Sequence, residues 1–342
     1  MKPIVTPQPA DSGAVRGMIS ALRGRYSFLQ ALPIGQTALG RDIYGIVLGG
    51  GREAVLYAAA FHGQEWITSL ILLRLCEEMA AALNGDGVLA DMDLQQALAG
   101  RSLVMVPQVN PDGVEIALHG PETAGRYIPL VSALDPEGKH WQANARGVDI
   151  NHNFDAGWKE LKAMELENGI HGPSPRQWCG PAPESEAETA ALVKLCHRAK
   201  FRHVLALHSQ GEEIYWRYGD RTPVRARTMA DILGASSGYR VADPEGMASH
   251  GGFKDWFISA FGRPGFTIES GWGKIPCPWK ILSRFTGKPG RCCCWPPLCS
   301  GSALFRHHGQ GDALSLPVHG QHPHLHPVAN LQHLGGMTDK AG

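Results

Sequence analysis

Two imidazoles and two carboxylates stand where a folded chain brings side chains together. His62 and Glu65, in His62-Gly-Gln-Glu65, follow directly on the apolar run Ala54-Val-Leu-Tyr-Ala-Ala-Ala-Phe61. Such a run reads as a buried strand, and its carboxyl end is where ligand sites form in open α/β sheets. Two donors three residues apart face one side when the chain turns into a helix there, and imidazole plus carboxylate suits a catalytic zinc with an open position. Alone the pattern is weak, because His-x-x-Glu arises often by chance. His208 adds a third donor at the end of Val204-Leu-Ala-Leu-His208, although singly it is as readily a hydrogen-bonded edge residue. Glu269 closes Phe266-Thr-Ile-Glu269, and a buried carboxylate needs a partner, a metal or a reaction. Three strand ends converging on these four residues describe a metallohydrolase site. Ser209 has no separate base in view and is read as structural, not as a nucleophile.

The elements that must position these residues follow from periodicity. Val15, Met18, Ile19, Leu22, Leu29 and Leu32 predict a helix over Ala14 to Leu32, ended by Pro33. Strands are expected over Leu39 to Gly49, Ala54 to Phe61, Arg101 to Pro107, Arg202 to His208 and Gly265 to Glu269, with helices over Ile67 to Leu83, Glu184 to Ala199 and Pro223 to Gly234. Asn110-Pro-Asp-Gly113 is read as a turn, and the polar stretch from Val114 to Arg146 as a long functional surface loop. Strands alternating with helices predict an α/β protein with a mixed, largely parallel sheet covered on both faces.

Composition narrows the function classes. The 342 residues carry 32 basic and 32 acidic side chains and no long basic run, so the electrostatic footprint of a nucleic-acid binder is missing. No apolar stretch has the length of a signal peptide's core or of a membrane span, and a soluble, cytoplasmic protein is expected. Nothing marks an obligate protein partner. The pattern stops near Gly273: residues 274 to 342 hold 2 of the 32 acidic residues, 7 of the 16 histidines and 5 of the 8 cysteines. Arg291-Cys-Cys-Cys-Trp-Pro-Pro-Leu-Cys299 lacks the paired spacing of a zinc module. The expected division is a catalytic domain over 1–273 and an atypical Cys/His/Pro-rich tail over 274–342, disordered or the product of a shifted reading frame.

His62-Gly-Gln-Glu65, Asn110-Pro-Asp-Gly113, Gly147-Val-Asp-Ile-Asn-His-Asn-Phe154, His208-Ser209 and Thr267-Ile-Glu269 occur in the order and approximate spacing of the M14, carboxypeptidase A-like zinc peptidases, and the chain resembles that family from about Ala14 to Gly273. The resemblance implies a three-layer α/β/α fold with a twisted, mixed eight-stranded sheet. It implies one zinc ion held by His62, Glu65 and His208, with Glu269 as general base and Asp149 behind a zinc-bound histidine, where a carboxylate is generally needed.

The departures from that family carry information too. Its carboxylate-binding Asn-Arg pair appears as Asn151-His152, and a histidine cannot reproduce the guanidinium fork. Its oxyanion arginine is replaced in Trp141-Gln-Ala-Asn144, leaving Gln142 or Arg146 as substitute donors. Its active-site tyrosine is missing, with Met247 near the expected place. These features and His208-Ser-Gln-Gly-Glu-Glu-Ile-Tyr-Trp216 resemble the γ-D-glutamyl-L-diamino acid peptidase branch. The resemblance implies a muropeptide substrate, cut between γ-D-glutamate and meso-diaminopimelate, with Glu212 and Glu213 facing an ammonium. A conventional metallocarboxypeptidase and an inactive peptide-binding pseudopeptidase are the alternative readings.

Overall fold

Strand β1 (Gln30–Gln36) starts only five residues after helix α1 (Ser12–Arg25) ends, so the first expected helix is too long at its carboxyl end. Leu29 and Leu32 continue the helical spacing, but residues 30–36 pair antiparallel with β2 (Asp42–Gly49) instead. Pro33 is tolerated there because β1 is an edge strand with a register shift between Pro33 and Gly35. The computed structural model describes residues 2–271, so the tail lies outside the described residues.

After β3 (Glu53–Ala59) come helix α2 (Ile67–Leu83), the small hairpin β4–β5 (Val88–Leu89 and Met92–Asp93) and the single turn α3 (Leu94–Ala97). Strand β6 (Arg101–Val106) leads into α4 (Pro111–His119), α5 (Ile128–Leu134), α6 (Trp158–Glu167) and α7 (Ala187–Arg198). The described residues end with β7 (Phe201–His208), β8 (Glu213–Tyr215), α8 (Arg225–Ser237), β9 (Arg240–Ala242), α9 (Phe253–Phe261) and β10 (Gly265–Glu269).

Eight strands form one mixed sheet in the order β1-β2-β6-β3-β7-β10-β8-β9. Its centre, β6, β3, β7 and β10, is parallel, so these four strands end at one edge. Apolar side chains fill both faces: α1, α2 and α8 cover one through Leu22, Leu70, Leu73 and Leu233, and α7 and α9 cover the other through Leu192, Phe253 and Phe257. The eight-stranded α/β arrangement expected from the sequence is therefore present.

Two expectations need correction. Asn110 does not close a turn but caps α4: its Oδ1 accepts from Gly113 N (2.8 Å), and Pro111 opens the helix. The stretch from Val114 to Arg146 is not one irregular loop, since α4, a 3-10 segment (Pro121–Tyr127) and α5 occupy much of it. These short helices bury few residues each, around Ile116, Val131 and Trp141, so their apolar period is faint.

Candidate metal centre

Strand β3 delivers His62 through a strained turn. Ala60 has φ +51°, a left-handed conformation costly for a residue with a Cβ. Thr68 Oγ1 locks this turn to α2, accepting from Ala60 N (2.8 Å) and donating to Glu65 O (2.8 Å). Gly63 to Glu65 form one 3-10 turn, which places His62 and Glu65 on the same side.

Asn110 braces the turn from outside, donating through Nδ2 to Phe61 O (3.0 Å) and Gln142 O (3.3 Å), while Gly63 N donates to the same Gln142 carbonyl (2.9 Å). The approach is so close that a Cβ on Gly63 would lie 2.2 Å from Gly113 O. Sequence reasoning missed Asn110 as a brace. An Asn followed by Pro at a helix start is the signal that could have revealed its capping geometry.

The donors converge. His62 Nδ1 lies 2.8 Å from Glu65 Oε1, and His208 Nδ1 lies 3.0 Å from Glu65 Oε2. One ligand atom from each of His62, Glu65 and His208 lies within 4.8 Å of the others. His62 Nε2 faces Asp149 Oδ1 (3.0 Å); with a metal ion bound at Nδ1 this carboxylate would hold the ring's one hydrogen on Nε2. Asp149 is fixed in turn by Asn151 N (3.1 Å) and Gln177 N (2.9 Å). His208 stacks on buried Phe61, ring centroids 5.1 Å apart. Ser209 contributes its backbone N–H to Glu65 Oε2 (3.2 Å), in keeping with a structural role.

The electrostatics match a cation site. Burial alone would push the Glu65 carboxyl up, but the positive charge available on His62 and His208 outweighs it and holds Glu65 near 2. Burial opposes charge on His62, yet Glu65 and Asp149 hold its imidazole well above the usual histidine range. Asp149 is likewise buried and kept well below the carboxylate range by His62 and His152. Two imidazole nitrogens and a buried carboxylate aimed into one volume are the donor set zinc takes in catalytic sites, so the residues present fit that ion.

Glu269 reaches the centre through sheet register. It pairs with His208 across β10 and β7, and with Glu213 across β10 and β8; Glu213 in turn pairs with Arg240. Opposed residues share a face of the sheet, so the four side chains form one row. Burial, Glu65 and Glu213 push the Glu269 carboxyl well above its ordinary value, with His62 opposing.

The remaining expected site residues are placed less uniformly. Asn151 stands at the mouth of α9, its Oδ1 accepting from Phe253 N (3.1 Å), and His152 Nδ1 faces Gln177 O (3.2 Å). Gln142 sits against the His62 turn through its backbone. Glu213 accepts from Tyr215 OH (2.6 Å) and pairs with Arg240, and Glu212 precedes it at φ +53°. Arg146 departs from expectation: it pairs with Glu186 (3.6 Å), because Asn144 folds residues 144–148 into a turn toward α7, accepting from Arg146 N and Val148 N.

A three-donor metal centre with an adjacent carboxylate, on the carboxyl edge of an α/β sheet, defines a metallohydrolase. The zinc carboxypeptidase family, peptidase M14, matches residues 15–284, and the chain belongs to that family of zinc-dependent peptidases. It is 34% identical over 276 residues to gamma-D-glutamyl-L-diamino acid endopeptidase 1 of Lysinibacillus sphaericus, covering 79% of this chain and 68% of that protein. It is 32% identical over 279 residues to the uncharacterized protein YqgT of Bacillus subtilis, covering 80% and 73%. Bovine thrombin-activatable fibrinolysis inhibitor, solved with tick carboxypeptidase inhibitor, shares the fold with TM-score 0.66 at 18% identity, covering 88% of this chain and 98% of that one. No helix among the described residues is long and apolar enough to cross a membrane.

Proposed function

We propose that this peptidase hydrolyses the bond between γ-D-glutamate and meso-diaminopimelate in peptides of the bacterial cell wall. The observation that carries the reading is the 34% identity, over 79% of the chain, to a relative named as a γ-D-glutamyl-L-diamino acid endopeptidase. The histidine at position 152 supports it, since an imidazole facing Gln177 O offers no guanidinium fork for an ordinary terminal carboxylate.

His62, Glu65 and His208 would hold the zinc ion, with Asp149 fixing the His62 ring. When bound, zinc lowers the pKa of water and polarises the scissile carbonyl. Glu269 takes a proton from the attacking water and returns it to the leaving nitrogen. Asn151, His152 and Gln142 would border the reacting carbonyl, and Glu213, in the row that holds Glu269, and the preceding Glu212 would receive the ammonium of the diamino acid.

Mass spectrometry of L-Ala-γ-D-Glu-meso-diaminopimelate incubated with the zinc-loaded protein tests this. Release of diaminopimelate is expected, and chelated protein and Glu269→Gln should release none. No release by soluble, zinc-loaded protein refutes the substrate.

A further inference from the structure

The row of His208, Glu269, Glu213 and Arg240 leads out of the metal centre. His208 stands against Glu65 inside it, and each later residue lies one strand further along, at roughly 5 Å per strand. Exposure rises on the way: the side chains of His208, Glu213 and Arg240 are 2%, 19% and 72% exposed. Ile214 and Val241 follow Glu213 and Arg240 in their strands and so point to the opposite face, into the apolar cluster that holds Leu233 of α8. The face that carries the row is thus open to solvent at its Arg240 end.

Two opposite charges meet at that end. Arg240 Nη2 pairs with Glu213 Oε1, and Tyr215 OH donates to Glu213 Oε2 (2.6 Å). The phenol keeps the carboxylate in place when Arg240 swings, and an ion pair this exposed opens at little cost. Both partners can take on more: a guanidinium offers more N–H groups than this contact uses, and each carboxylate oxygen has a second lone pair. The exposed Glu245 also acts on Arg240, so the charges here are balanced and favour neither a bare anion nor a bare cation. They match a ligand that carries both charges on one carbon.

We propose that Glu213 and Arg240 together read the zwitterionic tip of the diamino acid, Glu213 taking its ammonium and Arg240 its carboxylate. This rests on the function proposed above and adds Arg240 to it as a specificity-determining residue. In meso-diaminopimelate the scissile nitrogen and the carbon that bears the second ammonium and carboxylate are about five bonds apart, or roughly 6 Å when extended. That is close to the one strand spacing between Glu269 and Glu213. A tip delivered there lies between the two partners, with the guanidinium fork suited to its carboxylate. Lysine has the same chain and ammonium but no such carboxylate, so Arg240 is the residue that tells the two amino acids apart.

Hydrolysis of three peptides by the zinc-loaded full chain tests this: L-Ala-γ-D-Glu-meso-diaminopimelate, its L-lysine counterpart, which lacks only the terminal carboxylate, and its L-norleucine counterpart, which lacks the ammonium too. Wild-type kcat/KM should fall in that order. Arg240→Gln should lower the diaminopimelate-to-lysine ratio of kcat/KM about tenfold, through KM. Glu213→Gln should lower the lysine-to-norleucine ratio about tenfold. A folding defect cancels in each ratio, because both peptides meet the same protein, and Arg240 is exposed on an edge strand. Cleavage of the diaminopimelate peptide by wild type with an unchanged ratio in Arg240→Gln overturns the proposal and leaves the proposed function standing. Cleavage of none of the three by wild type refutes the proposed function itself, and this reading with it.

Discussion

Replacing Glu188 by Gln should stabilise the protein, increasingly so as pH rises. Glu188 lies in the first turn of α7 with no exposed surface. Burial, reinforced by Asp112 and Glu186, pushes its carboxyl from 4.5 up to about 8, against the opposing effect of its own backbone N–H and of Asn144. The folded chain thus holds a proton that the unfolded chain sheds near pH 4.5. Stability from this group is complete below that pH and is lost as pH rises to about 8. The slope is about 1.4 kcal/mol per pH unit, giving a cost of about 3 kcal/mol at pH 7 and about 5 above pH 8. Gln is neutral throughout, and its amide can donate to the neighbouring Glu186 and Asp112. Urea unfolding of both proteins between pH 5 and 8.5 measures the difference, in which all other titrating groups cancel. A gap widening with pH by about that slope is expected. Parallel stability curves would show that Glu188 is ionised in the folded state and refute the reasoning.

Other perturbations follow from the centre. Chelation should abolish activity and added zinc restore it, while His208→Ala and Glu65→Gln should bind no stoichiometric zinc by metal analysis; full zinc content in either would exclude it as a ligand. Glu269→Gln should keep its zinc and lose about 10³-fold in kcat, an unchanged kcat removing Glu269 from proton transfer. Asp149→Asn should weaken zinc affinity about 10- to 100-fold, read by competition with a chromogenic chelator, because His62 Nε2 loses its anionic acceptor. Gly63→Ala should cost about 3 kcal/mol in urea unfolding, since the new methyl carbon meets Gly113 O at 2.2 Å; unchanged stability would mean that the brace around Asn110 is loose.

The sequence made His62, Glu65, His208 and Glu269 legible for one reason: each follows or ends an apolar run, and those runs became β3, β7 and β10. Bounds of α2 were equally plain, because its apolar residues continue through Leu83 without a competing pairing. Strand β1 was hidden behind the helical spacing of Leu29 and Leu32, and only its pairing with β2 decided the matter. Strands β8 and β9 have three residues each, too few to display a period of two. Helices α6 and α9 were also not anticipated. Arg146 illustrates a different limit. Five residues after Trp141 in sequence, it is carried to α7 by a turn that Asn144 closes with side-chain bonds, and no periodicity reports such bonds.

The structure also gives different surroundings to two carboxylates that the sequence presents alike. Glu65 is tied on both oxygens, to His62, His208 and the Ser209 N–H, and is 3% exposed. A ligand gains from such fixity, since donors held in place lose little freedom when the ion binds. Glu269 stands in the same sheet row as His208, yet among the described residues no side chain hydrogen-bonds its carboxylate. A general base must take up a proton at one atom and release it at another, which a carboxylate pinned on both oxygens could not do. Glu213, the other carboxylate in that row, is held by Tyr215 and Arg240 and so is tied away from that proton. Among the described residues, Glu269 is the one of these three carboxylates that no side chain holds by a hydrogen bond, and that freedom is what the proposed role of general base requires.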